Sequence, residues 1–493
     1  MIQTLNVKKV HHPVQLTYDG EGLRIDGDFN AEKKGKPSRT CGCIPLPSPK
    51  RSDPTLLPID NINILHAFYN ERTNMVQIHA LVPQQYDKKD SSLDLYKFMY
   101  TVEEEKKEEA IEFCNFMLEN VYKGLKRQKR LKVLINPFSG QGRAYEIFEQ
   151  AARPILESAQ CELDVRYTED RGHAMQIAKE LDINAYDAIV TVSGDGIIHE
   201  VLNGLLQRPD AREAIRKIPL GIIPGGTGNA LSISLLGEKA GFDPTYTALQ
   251  IIKGKRLDID ICSVTYADHR YFSFLSHNYG ITSYADLGTE NMRWMGDGRI
   301  VLGFMKEIFA RNTYPVEVAI QVVEDDKEVM KAEYRAARSS AEEETESKTT
   351  GEIVDTIPPL SEPVPENWRV IKENVTLFFT SKVPWIGRSM LTHPYALPND
   401  GLLDLLLVRG KAGTMKKLDV FAKVEKGEHL SSKIVEYYKI KAFRLTPIEV
   451  PGRRSYVAID GEHAPVRTFQ VEVHPRLASV LSLHSQFADT SVA

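Results

Sequence analysis

The period of the hydrophobic positions changes several times along the chain. Near the N-terminus Val14, Leu16 and Tyr18 alternate with polar residues, Asp19-Gly20-Glu21-Gly22 supplies a turn, and Leu23 and Ile25 alternate again. That pattern predicts a β-hairpin. Val76, Ile78, Ala80 and Val82 form another period-two run, and Tyr96 to Val102 a further strand. The period then becomes helical: Ala110, Phe113, Cys114, Met117 and Val121 recur behind the acidic turn Glu103-Glu104-Glu105, which complements a helix N-terminus. Several strands closed by one helix resemble the element order of a pleckstrin-homology-like module, expected over 1–127.

Between 131 and 255 the pattern is strand, glycine-rich loop, helix, repeated. Leu131 to Ile135 runs into Asn136-Pro-Phe-Ser-Gly-Gln-Gly142, Ala188 to Val192 into Ser193-Gly-Asp-Gly196, and Leu220 to Ile223 into Pro224-Gly-Gly-Thr-Gly-Asn229. Alternating strands and helices imply a parallel sheet with ligand loops at the strands' carboxyl ends. From 256 onward short alternating runs dominate, among them Asp258 to Val264, Val316 to Val322, Val375 to Phe379, Leu402 to Val408 and Phe469 to Val473. They predict an antiparallel second domain. The expected division is 1–127, 128–255 and 256–485. Two proline- and charge-rich stretches, 30–58 and 336–366, are expected to stay mobile or disordered, having little apolar surface to bury.

Composition narrows the function. A chain of 493 residues has room for roughly two to four domains. The balance of 62 Lys+Arg against 67 Asp+Glu, net −5, lacks the basic excess of a dedicated nucleic-acid binder. Five cysteines without disulfide or zinc spacing suggest a reducing compartment. The first residues lack a signal peptide's apolar core, and no stretch is apolar enough to span a membrane. A cytoplasmic protein is expected.

Three glycine-rich loops at successive strand ends expose backbone N–H groups beside helix N-termini, a natural cradle for phosphate oxygens. A single such loop is more often a plain turn; three in succession point to a nucleotide. Neither a P-loop, nor the protein-kinase motif set, nor a dinucleotide-binding fingerprint is present. Asp195, between two glycines at a strand end, can face the ligand, although capping the helix that starts near Ile197 is a physically sound alternative.

The segments Leu134 to Ala144, Val192 to Gly204 and Ile223 to Leu231 closely resemble the diacylglycerol-kinase-type catalytic domain, and within it the sphingosine kinases or sphingoid long-chain-base kinases. The resemblance covers about 131–310 and resumes over about 372–475. It implies an α/β nucleotide domain like that of phosphofructokinase and NAD kinase, followed by a β-sandwich lipid domain. It implies ATP with Mg²⁺ carried on its phosphates, Asp195 as general base, and Ser193, Gly194, Asp195 and Gly196 beside the lipid hydroxyl. Asn136, Pro137 and Phe138 are expected against the nucleotide, Phe138 through its backbone alone because many relatives have a basic residue there. Thr168, Glu169, Asp170, Arg171 and Gly172 are expected beside adenine and ribose, with Glu200 a further contact. Gly226, Thr227 and Gly228 are expected to wrap the phosphates, and Asp460, Gly461 and Glu462 to return to the nucleotide. Asp286 falls on the carboxylate that meets the sphingoid amine, and Arg293 and Arg299 on a pair that neutralises phosphate charge. The apolar helix face with Leu302, Met305, Ile308 and Phe309 is either tunnel lining or core.

The resulting expectation is an ATP-dependent kinase for the primary hydroxyl of a sphingoid base, attached peripherally to membranes, with a homodimer allowed and no nucleic-acid partner. Cys41 and Cys43, flanked by basic residues, are candidates for S-acylation. Two rival readings are a diacylglycerol or ceramide kinase, against which Asp286 argues, and a non-catalytic, membrane-recruited lipid-binding regulator.

Overall fold

A computed structural model describes residues 2–27, 32–33, 58–84, 91–226, 228–289, 292, 295, 298–339, 352–452 and 454–492. The chain forms two compact units. The first comprises Met1–Leu131, Glu146–Asp164 and Asp243–Gly254; the second comprises Lys132–Tyr145, Val165–Phe242 and Lys255–Ala493.

In the first unit the predicted hairpin forms from strands His12–Tyr18 and Gly22–Asp26, with Tyr18 opposite Leu23. Asp19 shapes its turn by accepting hydrogen bonds from the N–H groups of Glu21 and Gly22. The sheet runs antiparallel through Gln3–Lys9 to Leu93–Thr101, Met75–Pro83 and Ile64–Asn70. The helix begins at Lys107 and ends at Val121, burying all five periodic residues and Leu118. Most of the 30–58 stretch lies outside the described residues.

In the second unit the strands Ala188–Ser193 and Leu220–Pro224 pair in parallel, Ile189 opposite Leu220 and Ser193 opposite Pro224. Their helices, Asp195–Leu206 and Ala230–Leu236, bury Val201, Leu205, Leu231 and Leu235 into one core. The sheet does not stop at the end of this segment. The long strand Phe469–Ser482 lies parallel to Leu220–Pro224 at Val480 and antiparallel to Lys255–Thr265 along most of its length. One mixed sheet thus carries the parallel strands on into antiparallel ones, Val435–Pro447, Tyr314–Glu324, Arg369–Ser381 and Ser276–Gly280. Buried charges tie its turn at Pro398-Asn-Asp-Gly401: Lys382 lies 2.8 Å from Asp260 and 3.0 Å from Asp400, and Lys439 lies 2.8 Å from both Asp400 and Asp404.

The expectation of disorder throughout 336–366 needs correction. A helix covers Lys327–Ser339, and residues 352–366 pack onto the sheet. Asp355 accepts hydrogen bonds from Ser263 at 2.7 Å and Thr265 at 3.1 Å and pairs with Arg270 at 2.5 Å. Glu472 binds the backbone and hydroxyl of Thr356. Ile357 and Val364 pack against Trp368 and Ala442. Sparse apolar content hid this segment because polar bonds to strand residues hold much of it. Residues 340–351 lie outside the described residues.

Candidate active site

Three loops meet where the parallel strands end. Gly225 donates its N–H to the Ser193 carbonyl at 2.9 Å, and Asp195 donates to the Gly228 carbonyl at 3.2 Å. The two glycine loops touch backbone to backbone. A Cβ on Gly226 would lie 2.5 Å from the Gly194 Cα, and one on Gly194 would lie 2.6 Å from the Gly228 carbonyl oxygen. Close approach therefore requires glycine at both positions. The third loop joins through Asn136, whose N–H reaches the Val192 carbonyl at 3.2 Å, and through Ser139, whose hydroxyl lies 3.1 Å from Ser193 Oγ and accepts from the Gly194 N–H. Asn136 turns this loop by accepting from the Phe138 N–H, and the Phe138 ring is 78% exposed. Thr227 lies outside the described residues.

Asp195 is buried at the centre of this junction. Its carboxylate caps the helix Ala230–Leu236, accepting from Ala230 N–H at 2.8 Å and Leu231 N–H at 3.3 Å, rather than capping its own. Burial pushes its carboxyl up to about 6 against the pull of those two amides, and the nearby Asp460 charge acts in the same upward direction. A carboxyl in that range is suited to accept a proton near neutral pH. Asn229 turns its amide nitrogen to the Gly226 carbonyl, and its buried Oδ1 has no protein partner.

The segment 168–172 is fixed from two sides. The Thr168 N–H bonds the Ile135 carbonyl at 2.9 Å, and Glu200 accepts from Gly172 N–H at 2.9 Å and Ala174 N–H at 3.1 Å. Glu200 thus caps the helix His173–Glu180 and anchors the loop, with Gly172 supplying the left-handed φ of +88°. Arg171 reaches Glu462 at 2.7 Å, and Glu462 Oε1 sits 3.3 Å from where a Gly196 Cβ would be. Residues 171, 196 and 462, far apart in sequence, are neighbours.

Asp460 departs from expectation. It was expected to hold the nucleotide, but its carboxylate is consumed within the protein. It accepts from Ser273 Oγ at 2.7 Å, from the N–H groups of Phe274, Leu275 and Ser276 at 3.2, 2.9 and 3.0 Å, and from His199 Nδ1 at 2.8 Å. Five donors leave no room for a metal or ribose, so Asp460 locks the Asp460-Gly461 turn in place. Burial tends to raise its pKa, but His199 outweighs that and holds it low. Burial likewise disfavours the His199 imidazolium, yet Asp460, Glu462 and Glu200 together raise its pKa. His199 was not singled out from sequence. The available signal was its position one turn beyond Asp195 on the same helix.

Asp286 and Arg299, expected to face different ligands, pair with each other. Arg299 donates to the Asp286 carboxylate at 3.0 Å, to the Asp286 carbonyl and to Thr289 Oγ1 at 3.1 Å. Arg299 therefore holds Asp286 in place. The other carboxylate oxygen of Asp286 lies 3.9 Å from where a Gly461 Cβ would be. Arg293 lies outside the described residues.

The helix Ile281–Leu287, which carries Asp286, also walls an apolar pocket. Ile281, Thr282, Phe304, Leu377, Leu406 and Phe421 are among its lining residues. Of the helix face considered from sequence, Ile308 lines the pocket, whereas Leu302 and Phe309 are 47% and 65% exposed. Two lining residues have buried polar atoms without a partner, Thr282 Oγ1 and His429 Nδ1. Neither has a sequence signature.

A mixed α/β sheet with three converging glycine loops and a buried carboxylate among them defines a phosphotransferase of the diacylglycerol-kinase type. The comparisons agree. Residues 130–264 match the diacylglycerol kinase catalytic domain, and 371–482 match the YegS C-terminal NAD kinase beta sandwich-like domain. The chain is 37% identical over 377 residues to sphingoid long chain base kinase 4 of Schizosaccharomyces pombe, spanning 76% of this chain and 80% of that one. It is 30% identical over 476 residues to sphingoid long chain base kinase 5 of Saccharomyces cerevisiae, spanning 85% and 68%. It is 32% identical over 362 residues to human sphingosine kinase 1, spanning 71% and 90%. This chain belongs to the sphingoid long-chain-base kinase, or sphingosine kinase, family.

Proposed function

We infer that this enzyme transfers the γ-phosphoryl group of ATP to the primary hydroxyl of a sphingoid long-chain base. The observation that carries the substrate reading is a juxtaposition on one short helix. Ile281–Leu287 presents a carboxylate, Asp286, and wall residues of an apolar pocket, Ile281 and Thr282. A sphingoid base has the matching pair of features, a cationic amine and a long hydrocarbon chain.

Phosphoryl transfer asks for positioned phosphates and a base at the attacking oxygen more than for covalent chemistry. Asn136, Pro137 and the Phe138 backbone, with Gly226, Thr227 and Gly228, are assigned to the phosphates. Residues 168–172, held by Glu200 and tied to Glu462, are assigned to the adenosine. Asp195 accepts the hydroxyl proton in the company of Ser193, Gly194 and Gly196. Mg²⁺ neutralises phosphate charge when it arrives with ATP. Asp460 is spent on protein donors, so Asp195 and Glu462 are the carboxylates that fit it.

Access to a bilayer lipid calls for peripheral attachment. Among the described residues no helix is long and apolar enough to cross a membrane. Val301, Leu302 and Phe309, exposed on the helix Gly298–Phe309, support contact with a lipid surface. The N-terminal sheet and helix support a pleckstrin-homology-like recruiting module over 1–127, followed by functional segments 128–255 and 256–485. Cys41 and Cys43, proposed for acylation, lie outside the described residues. The test of the activity is phosphate transfer from labelled Mg-ATP to sphinganine in mixed micelles, with the 1-phosphate identified by mass. Labelling of diacylglycerol or ceramide in place of sphinganine would contradict it.

A further inference from the structure

The wall of the apolar pocket carries one charge. Lys417, on the helix Thr414–Lys423, lines the pocket and is only 7% exposed. The other lining residues are apolar side chains, three threonines and His429. His429 donates from Nε2 to the Thr392 carbonyl at 2.9 Å, and burial pulls its pKa down to about 4, so its ring is neutral.

Buried lysines are ordinarily matched by carboxylates or backbone carbonyls. Lys382 has Asp260 and Asp400, Lys439 has Asp400 and Asp404, and Lys129 donates to the carbonyls of Ile251 and Ile252. Lys417 has no such match. Among the described residues no carboxylate pairs with its ammonium and no oxygen accepts from it. The residues three and four positions away, which share its helix face, are Gly413, Thr414, Val420 and Phe421, and none is acidic. Asp419 is spent on Lys423 at 2.8 Å. Burial alone acts on the Lys417 amine.

A hydrocarbon chain leaves this ammonium uncompensated, and a cationic amine is repelled by it. An anionic oxygen group at the end of a chain satisfies it through a charge-assisted hydrogen bond, while the chain covers the apolar wall.

We propose that the pocket also binds single-chain anionic lipids through Lys417, either a fatty-acid carboxylate or a lipid phosphate monoester, and that such a lipid competes with the sphingoid base. The competition rests on the sphingoid reading above; the anion site rests on Lys417. Asp286 stands on one wall helix and Lys417 on another, so opposite charges serve opposite headgroups.

The test is equilibrium binding of dodecanoate, dodecyl phosphate and uncharged dodecanol, each below its critical micelle concentration, to the full chain. Wild type, Lys417→Met and Lys417→Arg are compared, with displacement by sphinganine measured alongside. Wild type should bind one or both anions roughly 10- to 100-fold tighter than dodecanol, and the tighter of the two names the anion. Lys417→Met keeps the stem and removes the charge, and should bring both anions to within about threefold of dodecanol. Lys417→Arg should retain most of the preference. If Lys417→Met does not fold, Lys417→Gln is compared in the same way. No preference for either anion in wild type, or a preference that survives Lys417→Met, would overturn the anion site. Anions bound through Lys417 yet not displaced by sphinganine would overturn the competition and count against the sphingoid reading, with the anion site intact.

Discussion

His199 Nδ1 lies 2.8 Å from Asp460 Oδ2, joining the helix that begins at Asp195 to the turn that presents Glu462. Two residues 261 positions apart in sequence thereby tie the helix after the Ser193-Gly-Asp-Gly196 loop to the Asp460-Gly461 turn. Because the ion pair raises the His199 pKa above its usual 6.5, its stabilisation is fully present below that value and fades as pH rises through the raised one. His199→Gln should therefore lower the melting temperature more at pH 6 than at pH 9, by the equivalent of about 1–3 kcal/mol at the lower pH. An equal loss at both pH values would show that the imidazole is neutral in the native state.

Asp195 is held in its ionised form at a cost. Moving a carboxyl from 3.8 to about 6 corresponds to roughly 3 kcal/mol of native-state strain at neutral pH. The sign follows from the raised value: the wild type loses stability relative to a neutral side chain as pH rises from about 4 to about 6. Asp195→Asn should thus match the wild type near pH 4 and exceed it above pH 6, while kcat falls by roughly 10²–10⁴-fold. The wild-type rate should show an acid limb near pH 6. More than a third of wild-type kcat in the variant would remove Asp195 from the role of base.

Gly226 is constrained by contact. A methyl group there meets the Gly194 backbone at 2.5–2.6 Å, so the two loops must separate. Gly226→Ala should raise the KM for ATP by more than tenfold and lower stability by at least about 1–3 kcal/mol, as overpacking does. An unchanged KM would mean that the loops are not in contact when ATP is bound.

The loops themselves were legible in the sequence because three glycine-rich turns recur at successive strand ends, and the role of Asp195 as candidate base came from the family resemblance those loops carry. What could not be read was where long-range carboxylates go. Asp460 stands in a motif that suggests a ligand, yet it is consumed by five protein donors, four from residues 273–276 and one from His199. Spacing along the chain says nothing about donors that arrive from strands two hundred residues away. The return of Phe469–Ser482 beside Leu220–Pro224 was hidden for the same reason. The N-terminal hairpin and the buried face of the helix were read from local alternation and period, but the helix, expected over Glu103 to Arg127, runs only from Lys107 to Val121.

Asp355 corrects the reading of the 336–366 stretch and supplies a direct check. Ser263, Arg270 and His474 surround its carboxylate and outweigh burial, holding its pKa down to about 2. Its contribution is present above the usual 3.8 and is lost as pH falls towards 2. Asp355→Asn should cost about 1–3 kcal/mol at pH 7 and little near pH 2, and deletion of 352–366 should lower the melting temperature. Unchanged melting after that deletion would show that the segment does not pack.

Substrate charge tests most directly whether Asp286 recognises a cationic lipid. The measurement is kcat/KM of wild type and Asp286→Asn on sphinganine and on a neutral lipid alcohol, with Mg-ATP affinity measured alongside. Removing one partner of a partly desolvated ion pair costs a few kcal/mol, so sphinganine turnover should fall by roughly one to three decades. Mg-ATP affinity should stay within about twofold, and any activity on the neutral lipid should persist or rise relative to sphinganine. Equal losses on charged and neutral lipids would contradict the claim, leaving Asp286 with only its structural pairing to Arg299.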